Sequence, residues 1–124
     1  MGKYTKAEED YLEAIYMLGG ADGGVQSVAV SVKLGVSKPA VNMATNDLAK
    51  KGLIEKQRYG DLTLTKEGRA VAEEVYARHT LLKQLLIYIG VSEETAENDC
   101  CKIEHTLSEE TVEKLRGLKE KLGF

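Results

Sequence analysis

Apolar side chains near the start of the chain recur at the spacing of an amphipathic helix, at Tyr11, Ile15 and Leu18. Thr5 and Glu8 precede this stripe and have the spacing of a capping box, so the pattern predicts a first helix that begins at Thr5. Asp10 and Glu13, three residues apart, share another face of that helix.

The next two apolar segments are joined by a turn. Residues 28–34 fit a short helix, Gly35 permits a tight turn, and Ser37 is a good cap for a third helix over residues 38–51. Pro39 falls in the first turn of that helix, where a missing N–H is tolerated. Two helices joined by a short turn that contains glycine predict a helix-turn-helix.

The period of the pattern then changes. Residues 53–57 and 62–65 alternate or carry β-branched side chains, and residues 58–61 separate them, which predicts a β-hairpin. A helix-turn-helix followed by such a hairpin is a winged helix.

The second half of the chain is predicted to be helical throughout. A long helix over residues 66–89 has its apolar seam at Val71, Val75, Leu82, Leu85, Leu86 and Ile89. Ser92 is the expected cap of a further helix that ends near Leu107, and a last helix starts at Ser108 and runs to the C-terminus. The fold class is therefore mainly α, with a small β-hairpin wing.

Composition narrows the class of protein. The 124 residues are 43% hydrophobic and 30% charged, which is typical of a globular chain of one domain or a small domain with a helical appendage. No apolar run approaches the ~20 residues of a membrane span, and the first ten residues lack a secretory signal, so a cytoplasmic location is expected. Cys100 and Cys101 are adjacent and cannot easily bridge each other, which predicts reduced thiols.

Charge is distributed unevenly along the chain. The overall net charge is −3, but residues 33–58 carry six bases against two acids, whereas residues 61–124 carry nine bases against thirteen acids. A basic block inside an acidic chain suggests a polyanionic partner for that block. The alternative is a solvated basic face without a partner.

The predicted helix-turn-helix indicates which residues would contact DNA. The second helix of this motif enters the major groove with its N-terminal residues nearest the bases. The residues at those positions are Ser37, Lys38, Pro39, Ala40, Asn42 and Met43. Asn42 could pair with adenine, and the apolar members could contact a thymine methyl group. The bases placed to meet phosphates are Lys33, Lys38, Lys50, Lys56 and Arg58.

Two alternatives to that assignment stay open. Ala40, Val41 and Met43 could instead pack in the core, and for Val41 core packing is the expected outcome. A winged helix can also serve protein contacts rather than DNA.

Both histidines of the chain fall near other metal-binding side chains. Cys101, Glu104 and His105 stand at i, i+3 and i+4, which would place a thiolate, a carboxylate and an imidazole on one helical face within reach of one cation. His79 lies on the preceding long helix. If these helices meet the first one, six ligand-type side chains converge, namely Asp10, Glu13, His79, Cys101, Glu104 and His105. Taken alone, the Cys-x-x-Glu-His segment would equally fit a partly buried cysteine beside surface charges.

Catalysis finds little support in the sequence. We see no activated serine, no lysine in a predicted apolar pocket and no glycine-rich phosphate loop, so an enzyme is not expected. Two other classes remain as alternatives. One is a winged-helix regulator that responds to a small molecule or to redox state through Cys100 and Cys101, and the other is a metallohydrolase.

Five segments, in order, resemble the metal-dependent repressors of the diphtheria toxin repressor and manganese transport regulator type. They are YLEAIYML, LGVSKPAV, KKGLIEKQRYGDLTLTKEG, RHTLL and CCKIEHTLS, and they span nearly the whole chain. The resemblance implies a winged-helix DNA-binding domain over about residues 1–65 and an all-helical metal-binding and dimerisation domain over about residues 66–124.

The resemblance also implies a function. It is that of a homodimeric repressor that binds pseudo-palindromic, double-stranded operator DNA when loaded with Mn(II) or Fe(II), and so controls metal-ion homeostasis. It implies no membrane partner and no small-molecule substrate. The two-domain form of the manganese regulators is expected, without the SH3-like third domain of the longer iron-responsive members.

The candidate ligands combine features of two branches of that family. Asp10, Glu13 and His79 match the manganese branch, whereas Cys101 matches the iron branch and replaces a bridging glutamate of the manganese branch. Lys83 stands where both branches commonly have glutamate. Carboxylates suit Mn(II), and a thiolate shifts the preference toward Fe(II), Zn(II) or Co(II). The binuclear manganese arrangement is therefore not expected to carry over unchanged.

Two positions in the predicted DNA-binding domain also depart from the family. Met43 occupies a position that is often polar, so the operator is expected to differ. Val28 stands where a serine often caps the second helix, and the neighbouring Ser27 is the expected substitute.

Overall fold

The computed structural model describes residues 3–124 and shows a mainly helical chain, as predicted. The helices in this range are α1 (Lys6–Met17), α2 (Ser27–Leu34), α3 (Lys38–Lys50), α4 (Lys66–Tyr88), α5 (Glu93–Ile103) and α6 (Glu109–Leu122). The strands are β1 (Ile54–Lys56) and β2 (Leu62–Leu64). The predicted N-terminal domain starts at residue 1, and its first two residues lie outside the described part. Within residues 3–124, every helix is too short or too polar to cross a membrane.

Side-chain caps fix the starts of several helices where the sequence places them. The Thr5 hydroxyl accepts a hydrogen bond from the Glu8 N–H at 3.1 Å, and the Glu8 carboxylate accepts one from the Thr5 N–H at 2.9 Å. This capping box starts α1 and satisfies two backbone donors that the helix itself cannot. Ser37, Ser92 and Ser108 cap α3, α5 and α6 through hydrogen bonds to the backbone three residues later.

The start of α2 differs from the expectation. Its N-cap is Gln26, whose side chain makes no capping hydrogen bond, and Ser27 is already the first helical residue. Val25 explains the shift, because its N–H and C=O both pair with the backbone of Leu62, at 2.8 and 2.7 Å. This bridge holds the chain in an extended conformation up to Val25, so the helix begins directly after Gln26. The expectation that Ser27 caps α2 was wrong.

The first of two compact units covers Tyr4–Glu73 and contains the winged helix. β1 and β2 pair antiparallel with Ile54 opposite Leu64, which forms the predicted wing. The buried residues of its core are Tyr11, Leu12, Ile15, Val25, Val30, Val41, Leu48, Leu53, Ile54, Leu62 and Ala72. Helices α1 to α3, the hairpin and the first turns of α4 thus share one core, and Val41 is a core residue as predicted.

The second compact unit contains Glu74–Phe124 and is helical in its described part. Its core is formed by Leu81, Leu85 and Val112, with Leu107 and Leu115 packed against them.

Ile89 does not continue the predicted seam of α4. It is 73% exposed. The helix ends at Tyr88, and Gly90 has a φ of 103°, a backbone conformation that favours glycine. The chain therefore turns away just where Ile89 would have extended the apolar face.

The end of α5 is also earlier than predicted. The helix stops at Ile103 rather than near Leu107, and Glu104 to Thr106 form a turn. Ser108 must be extended to cap α6, with φ −71° and ψ 160°, so the chain has to leave the helix before it. Glu104 is the C-cap of α5, with a helical φ of −60° and ψ of −25° and its N–H bonded to the Cys100 carbonyl, whereas His105 lies in the turn that follows.

Candidate metal centre and DNA-binding surface

The N-terminal half of α3 presents the side chains that the sequence assigns to DNA. Met43 is 71% exposed, and Asn42, Lys38 and Pro39 are exposed as well. Ala40 is half-buried. Core packing, the alternative for Met43, is therefore excluded.

Asn42 makes a contact that the sequence did not predict. The Lys56 ammonium donates hydrogen bonds to the Asn42 Oδ1 and to the Asn46 Oδ1, both at 2.8 Å. A two-point contact with adenine needs both the oxygen and the nitrogen of the amide. Because Lys56 occupies the Asn42 oxygen, this side chain presents its NH₂ group as a donor. Lys56 itself is engaged with amides of α3 rather than extended toward solvent.

The other predicted phosphate-binding residues surround this helix. Lys33 lies in the last turn of α2, Lys38 begins α3, Lys50 ends it, and Arg58 lies in the hairpin turn. All four are exposed. Exposed cations in and near a helix-turn-helix are what phosphate contacts require.

The second unit contains a cluster of possible metal ligands, which we call the metal-ligand cluster, and His79 lies at its centre. Its members are His79, Glu97, Cys100, Cys101, Glu104 and His105. His79 projects from α4 and is only 8% exposed. Its Nδ1 lies 2.9 Å from the Glu104 Oε2, and its Nε2 lies 3.1 Å from both carboxylate oxygens of Glu97. The Arg78 guanidinium donates a hydrogen bond to the Glu104 carbonyl oxygen at 2.9 Å, which holds the turn after α5 against α4.

Glu104 is a buried carboxylate between two imidazoles. It is 1% exposed, and its Oε1 lies 3.2 Å from the His105 Nε2. Burial acts to raise the pKa of Glu104, but the neighbouring imidazoles of His105 and then His79 outweigh it and hold that pKa below its ordinary value. Glu104 is therefore available as an anionic oxygen ligand.

Two thiols lie against the same imidazole. The Cys100 Sγ is 3.5 Å from the His79 Nδ1 and 3.7 Å from its Nε2, and the Cys101 Sγ is 3.8 Å from the Nδ1. Burial, followed by the nearby Cys101, Glu97 and Glu104, raises the pKa of Cys100 to about 12. The thiol of Cys100 is therefore protonated at neutral pH in the absence of a cation.

The structure thus brings four of the six predicted ligands together in the second unit. They are His79, Cys101, Glu104 and His105. Asp10 and Glu13 lie on α1 of the first unit, where Lys6 donates a hydrogen bond to Asp10 at 2.9 Å and Glu13 is buried.

Cys100 and Glu97 were missed as neighbours of His79. A signal for them existed, because Glu97, Cys100, Cys101 and Glu104 recur at i, i+3, i+4 and i+7, the spacing of one helical face.

Lys83 occupies the edge of this cluster. Its Nζ lies 3.1 Å from the Glu97 Oε2 and 3.8 Å from the Glu93 Oε1. The hydrogen bond with Glu97 raises the pKa of Lys83. Burial acts to raise the pKa of Glu97, but the contacts with Lys83 and His79 outweigh it and hold that pKa below its ordinary value. Lys83 therefore compensates a negative charge that would otherwise face the cluster.

The chemistry of the cluster fits a divalent transition metal. Imidazole, thiol and carboxylate are the donors that proteins use for Mn(II), Fe(II), Co(II) and Zn(II). They lie together on α4, α5 and the following turn, where His79, Cys100 and Glu104 are buried and Cys101 and His105 are partly exposed. The donor set does not distinguish among these metals, because it mixes hard oxygen and soft sulfur atoms.

Family comparisons cover almost the whole chain. Residues 3–62 match the iron dependent repressor N-terminal DNA binding domain, and residues 65–123 match the iron dependent repressor metal binding and dimerisation domain. The transcriptional regulator MntR of Escherichia coli O6:H1 is 37% identical over 115 residues, which cover 93% of this chain and 74% of that protein.

Solved structures agree with these matches. The chain is similar to a manganese-dependent transcriptional repressor in complex with manganese, with a TM-score of 0.80, 27% identity and coverage of 94% of this chain and 53% of that one. It is also similar to ScaR with bound Zn²⁺, with a TM-score of 0.75, 28% identity and coverage of 91% and 53%. The chain spans about half the length of these two structures.

These matches decide between the classes that the sequence left open. They support neither a redox regulator that acts through Cys100 and Cys101 nor a regulator that binds a small molecule. The family is one of transcriptional regulators, and its N-terminal domain binds DNA. The chain therefore belongs to the iron dependent repressor family and is a metal-dependent transcriptional repressor with a winged helix followed by a helical metal-binding and dimerisation domain.

Proposed function

We propose that this repressor uses Mn(II) or Fe(II) as its co-repressor and, as a homodimer, binds double-stranded operator DNA that controls metal-ion homeostasis. One observation carries the proposal. It is the buried Glu104 carboxylate between His79 and His105, with the Cys101 thiol 3.8 Å from the same His79 ring. Four donor groups gathered around one buried carboxylate are more than packing alone requires. No catalytic role is assigned, and a repressor of this kind acts on DNA in the cytoplasm.

The proposed ligand set has six members, drawn from both units. They are Asp10, Glu13, His79, Cys101, Glu104 and His105. Carboxylates and imidazoles favour Mn(II) and Fe(II), and the thiol also admits Zn(II) or Co(II). The relatives support a metal of this group, since one solved neighbour is a complex with manganese and another has bound Zn²⁺.

Asp10 and Glu13 give the proposed site its regulatory role. A bound divalent cation supplies positive charge that offsets the carboxylates around it. In its absence Asp10, Glu13 and Glu104 are like charges and repel one another. We infer that ligands from α1 tie the DNA-binding unit to the metal-binding unit, so that fewer arrangements of the two remain populated.

The energetic requirement of such a switch is modest. Shifting the DNA-competent arrangement from 1:99 to 99:1 requires a preference of about 5.5 kcal/mol. Several ligand bonds that span two units can supply it. By linkage, operator DNA should tighten metal binding by the same factor as metal tightens DNA binding.

The surface around α3 supports operator binding. Exposed side chains at its N-terminus are available for bases, and the exposed cations Lys33, Lys38, Lys50 and Arg58 are available for phosphates. Two such helices in a dimer must lie about 34 Å apart to enter successive major grooves. The spacing of half-sites in the operator should match that distance.

Exposed apolar side chains in the second unit support a second copy of the chain as partner. Ile87, Tyr88, Ile89, Leu118, Leu122 and Phe124 are all more than a third exposed. The rings of Tyr88 and Phe124 stack with centroids 5.1 Å apart, which brings the end of α4 next to the C-terminus. Clusters of exposed apolar side chains mark interaction surfaces, and the matched family domain is one of dimerisation.

Fluorescence anisotropy with labelled operator DNA tests the switch. We expect Mn(II) or Fe(II) to raise operator affinity at least about tenfold over chelated protein, equivalent to ~1.4 kcal/mol. Equal affinities with and without metal would contradict the proposal.

Two substitutions test the ligand assignment. His79→Ala and Glu104→Ala should abolish the metal response while the dimer stays folded, as judged by circular dichroism and sedimentation. Glu110→Ala, on the exposed side of α6, is the control and should respond like the parent. Normal metal-dependent DNA binding by both ligand variants would show that the assignment is wrong.

A further inference from the structure

The metal-ligand cluster contains one more thiol than the proposed ligand set uses. Cys100 is fully buried, and its Sγ lies closer to the His79 ring than that of Cys101. The metal-binding atoms of His79, Cys100 and Cys101 all lie within 4.8 Å of one another. All three residues belong to the second unit, so this grouping does not depend on α1.

We propose that Cys100 and Cys101 both ligate a thiophilic divalent cation together with His79, which gives the protein a dithiolate site for ions such as Zn(II), Co(II) or Cd(II). The proposal rests on the proposed function in one respect, since it places this site within the same metal-binding cluster.

The distances from the two sulfurs to the His79 Nδ1 are close to those of tetrahedral coordination. With Zn–S bonds of about 2.3 Å and Zn–N bonds of about 2.05 Å, a tetrahedral angle separates sulfur from nitrogen by roughly 3.6 Å. The Cys100 and Cys101 sulfurs lie 3.5 and 3.8 Å from the His79 Nδ1. The Cys100 sulfur also lies 3.7 Å from the Nε2, so it packs against the ring, and a rotation of the His79 side chain would be needed to aim the Nδ1 between the two thiols.

Glu104 supplies a fourth donor. Its Oε2 lies 2.9 Å from the same His79 Nδ1. Two sulfurs and one nitrogen within 4.8 Å of one another, with this oxygen beside the nitrogen as the proposed fourth donor, would give a tetrahedral site inside the second unit. Soft thiolates select Zn(II) and its heavier relatives over Mn(II), whose preference is for oxygen.

The environments of the two thiols differ in a way that suits binding. The Cys100 S–H donates a hydrogen bond to the Glu97 carbonyl oxygen at 3.3 Å, which fixes its sulfur beside the imidazole. Cys101 is only partly buried and gives the cluster an approach from solvent. Adjacent cysteines on a helix cannot easily form a disulfide with each other, so both sulfurs remain available to a cation.

X-ray absorption of the zinc-loaded, reduced full-length protein tests the proposal without any substitution. The zinc edge should report two sulfur scatterers at about 2.3 Å together with nitrogen or oxygen ligands. A single sulfur, or none, would overturn the dithiolate site.

Cobalt absorption assigns each thiol. Co(II) bound to thiolates shows a sulfur-to-metal charge-transfer band in the near ultraviolet, and tetrahedral geometry gives intense visible bands. We expect Cys100→Ser and Cys101→Ser each to weaken the charge-transfer band, and the double variant to lose it. A Cys100→Ser protein that is folded by circular dichroism and keeps the full band would refute the role of Cys100.

The same measurements separate this proposal from the proposed function. They use metal alone and no DNA. An intact dithiolate signal in a protein whose operator affinity does not respond to Mn(II) would leave the dithiolate site standing and reject the co-repressor switch. A protein that lacks the dithiolate signal but whose operator affinity responds to Mn(II) would reject only the dithiolate site.

Discussion

Gly68 lets α4 pack closely against the backbone of Leu53. A Cβ added there would lie 1.8 Å from the Leu53 carbonyl oxygen, a backbone atom that cannot rotate away. We expect Gly68→Ala to lower the free energy of unfolding by about 1–3 kcal/mol, as overpacking does, when measured by urea denaturation.

The matched control for that substitution is Gly117. It lies inside α6, and an added Cβ would meet nothing within 4 Å. Gly117→Ala should therefore stabilise the protein by roughly 0.5–1 kcal/mol, because alanine favours a helix interior over glycine. If both substitutions were equally well tolerated, the close packing of α4 on Leu53 would be wrong.

Lys56 influences what Asn42 can present to DNA. Lys56→Met removes the ammonium that holds the Asn42 oxygen, so the amide can offer both its donor and its acceptor. We expect the base preference at the position contacted by Asn42 to shift toward adenine. Relative affinities for operators carrying each of the four base pairs at that position measure this shift.

Lys50→Met separates this effect from loss of charge. Lys50 is exposed at the end of α3, and its replacement by methionine removes one positive charge, as Lys56→Met does. Lys50→Met should weaken binding to all four operators equally. An unchanged preference in Lys56→Met would mean that Asn42 does not contact a base.

Among the elements, helix starts could be predicted from the sequence better than helix ends. Thr5, Ser37, Ser92 and Ser108 cap their helices through local hydrogen bonds, so a few neighbouring letters define each start. The start of α2 escaped prediction because it depends on a bridge between Val25 and a distant strand.

The same distinction applies to the candidate site. Residue types and spacing indicated His79, Cys101, Glu104 and His105, and the structure groups these four. α5 ends earlier than predicted, since Ser108 has to be extended to cap α6, so Glu104 is the C-cap of the helix and His105 lies in the turn beyond it. Contacts across elements, such as those of Lys56 with α3, have no local signature in the sequence.

An ion pair between α1 and the end of α3 makes the stability of the first unit depend on pH. Glu8 accepts a hydrogen bond from Lys51, and this contact is the main cause of a Glu8 pKa below the ordinary 4.5. A carboxyl whose pKa is lower in the folded state stabilises the fold fully above its unfolded pKa. That contribution is lost as the pH falls through the folded pKa.

We therefore expect the melting temperature to fall below about pH 4.5 in part because Glu8 becomes protonated. Glu8→Gln should have a lower melting temperature than the parent at pH 7. The difference should shrink as the pH drops below about 4.5. Glu67→Gln, at an exposed position in α4, is the control. A difference that is the same at pH 7 and pH 3 would contradict this account.

For the whole molecule, metal binding and stability are linked. A cation that binds only the folded protein stabilises it by about 2.7 kcal/mol when its free concentration is 100 times Kd. We expect Mn(II) to raise the melting temperature of the chelated protein in differential scanning calorimetry. The rise should diminish as the pH is lowered, because thiol and imidazole ligands must lose protons to bind.

His79→Ala should remove most of that thermal shift, since His79 contacts every donor of the cluster except His105. His105→Ala should reduce it by a smaller amount. A full shift in both variants would place the stabilising cation elsewhere in the protein.

The shared helix α4 determines where the protein can be cut. Val71 and Ala72 lie beyond the start of α4 yet belong to the core of the winged helix, and Gly68 seats the same helix on Leu53. A truncated fragment that stops at Thr65 would leave that core open to water. A fragment that keeps the core must extend to Glu73, which lies inside the unbroken helix α4. Either half would therefore end in a cut helix whose terminal N–H or C=O groups have lost their partners.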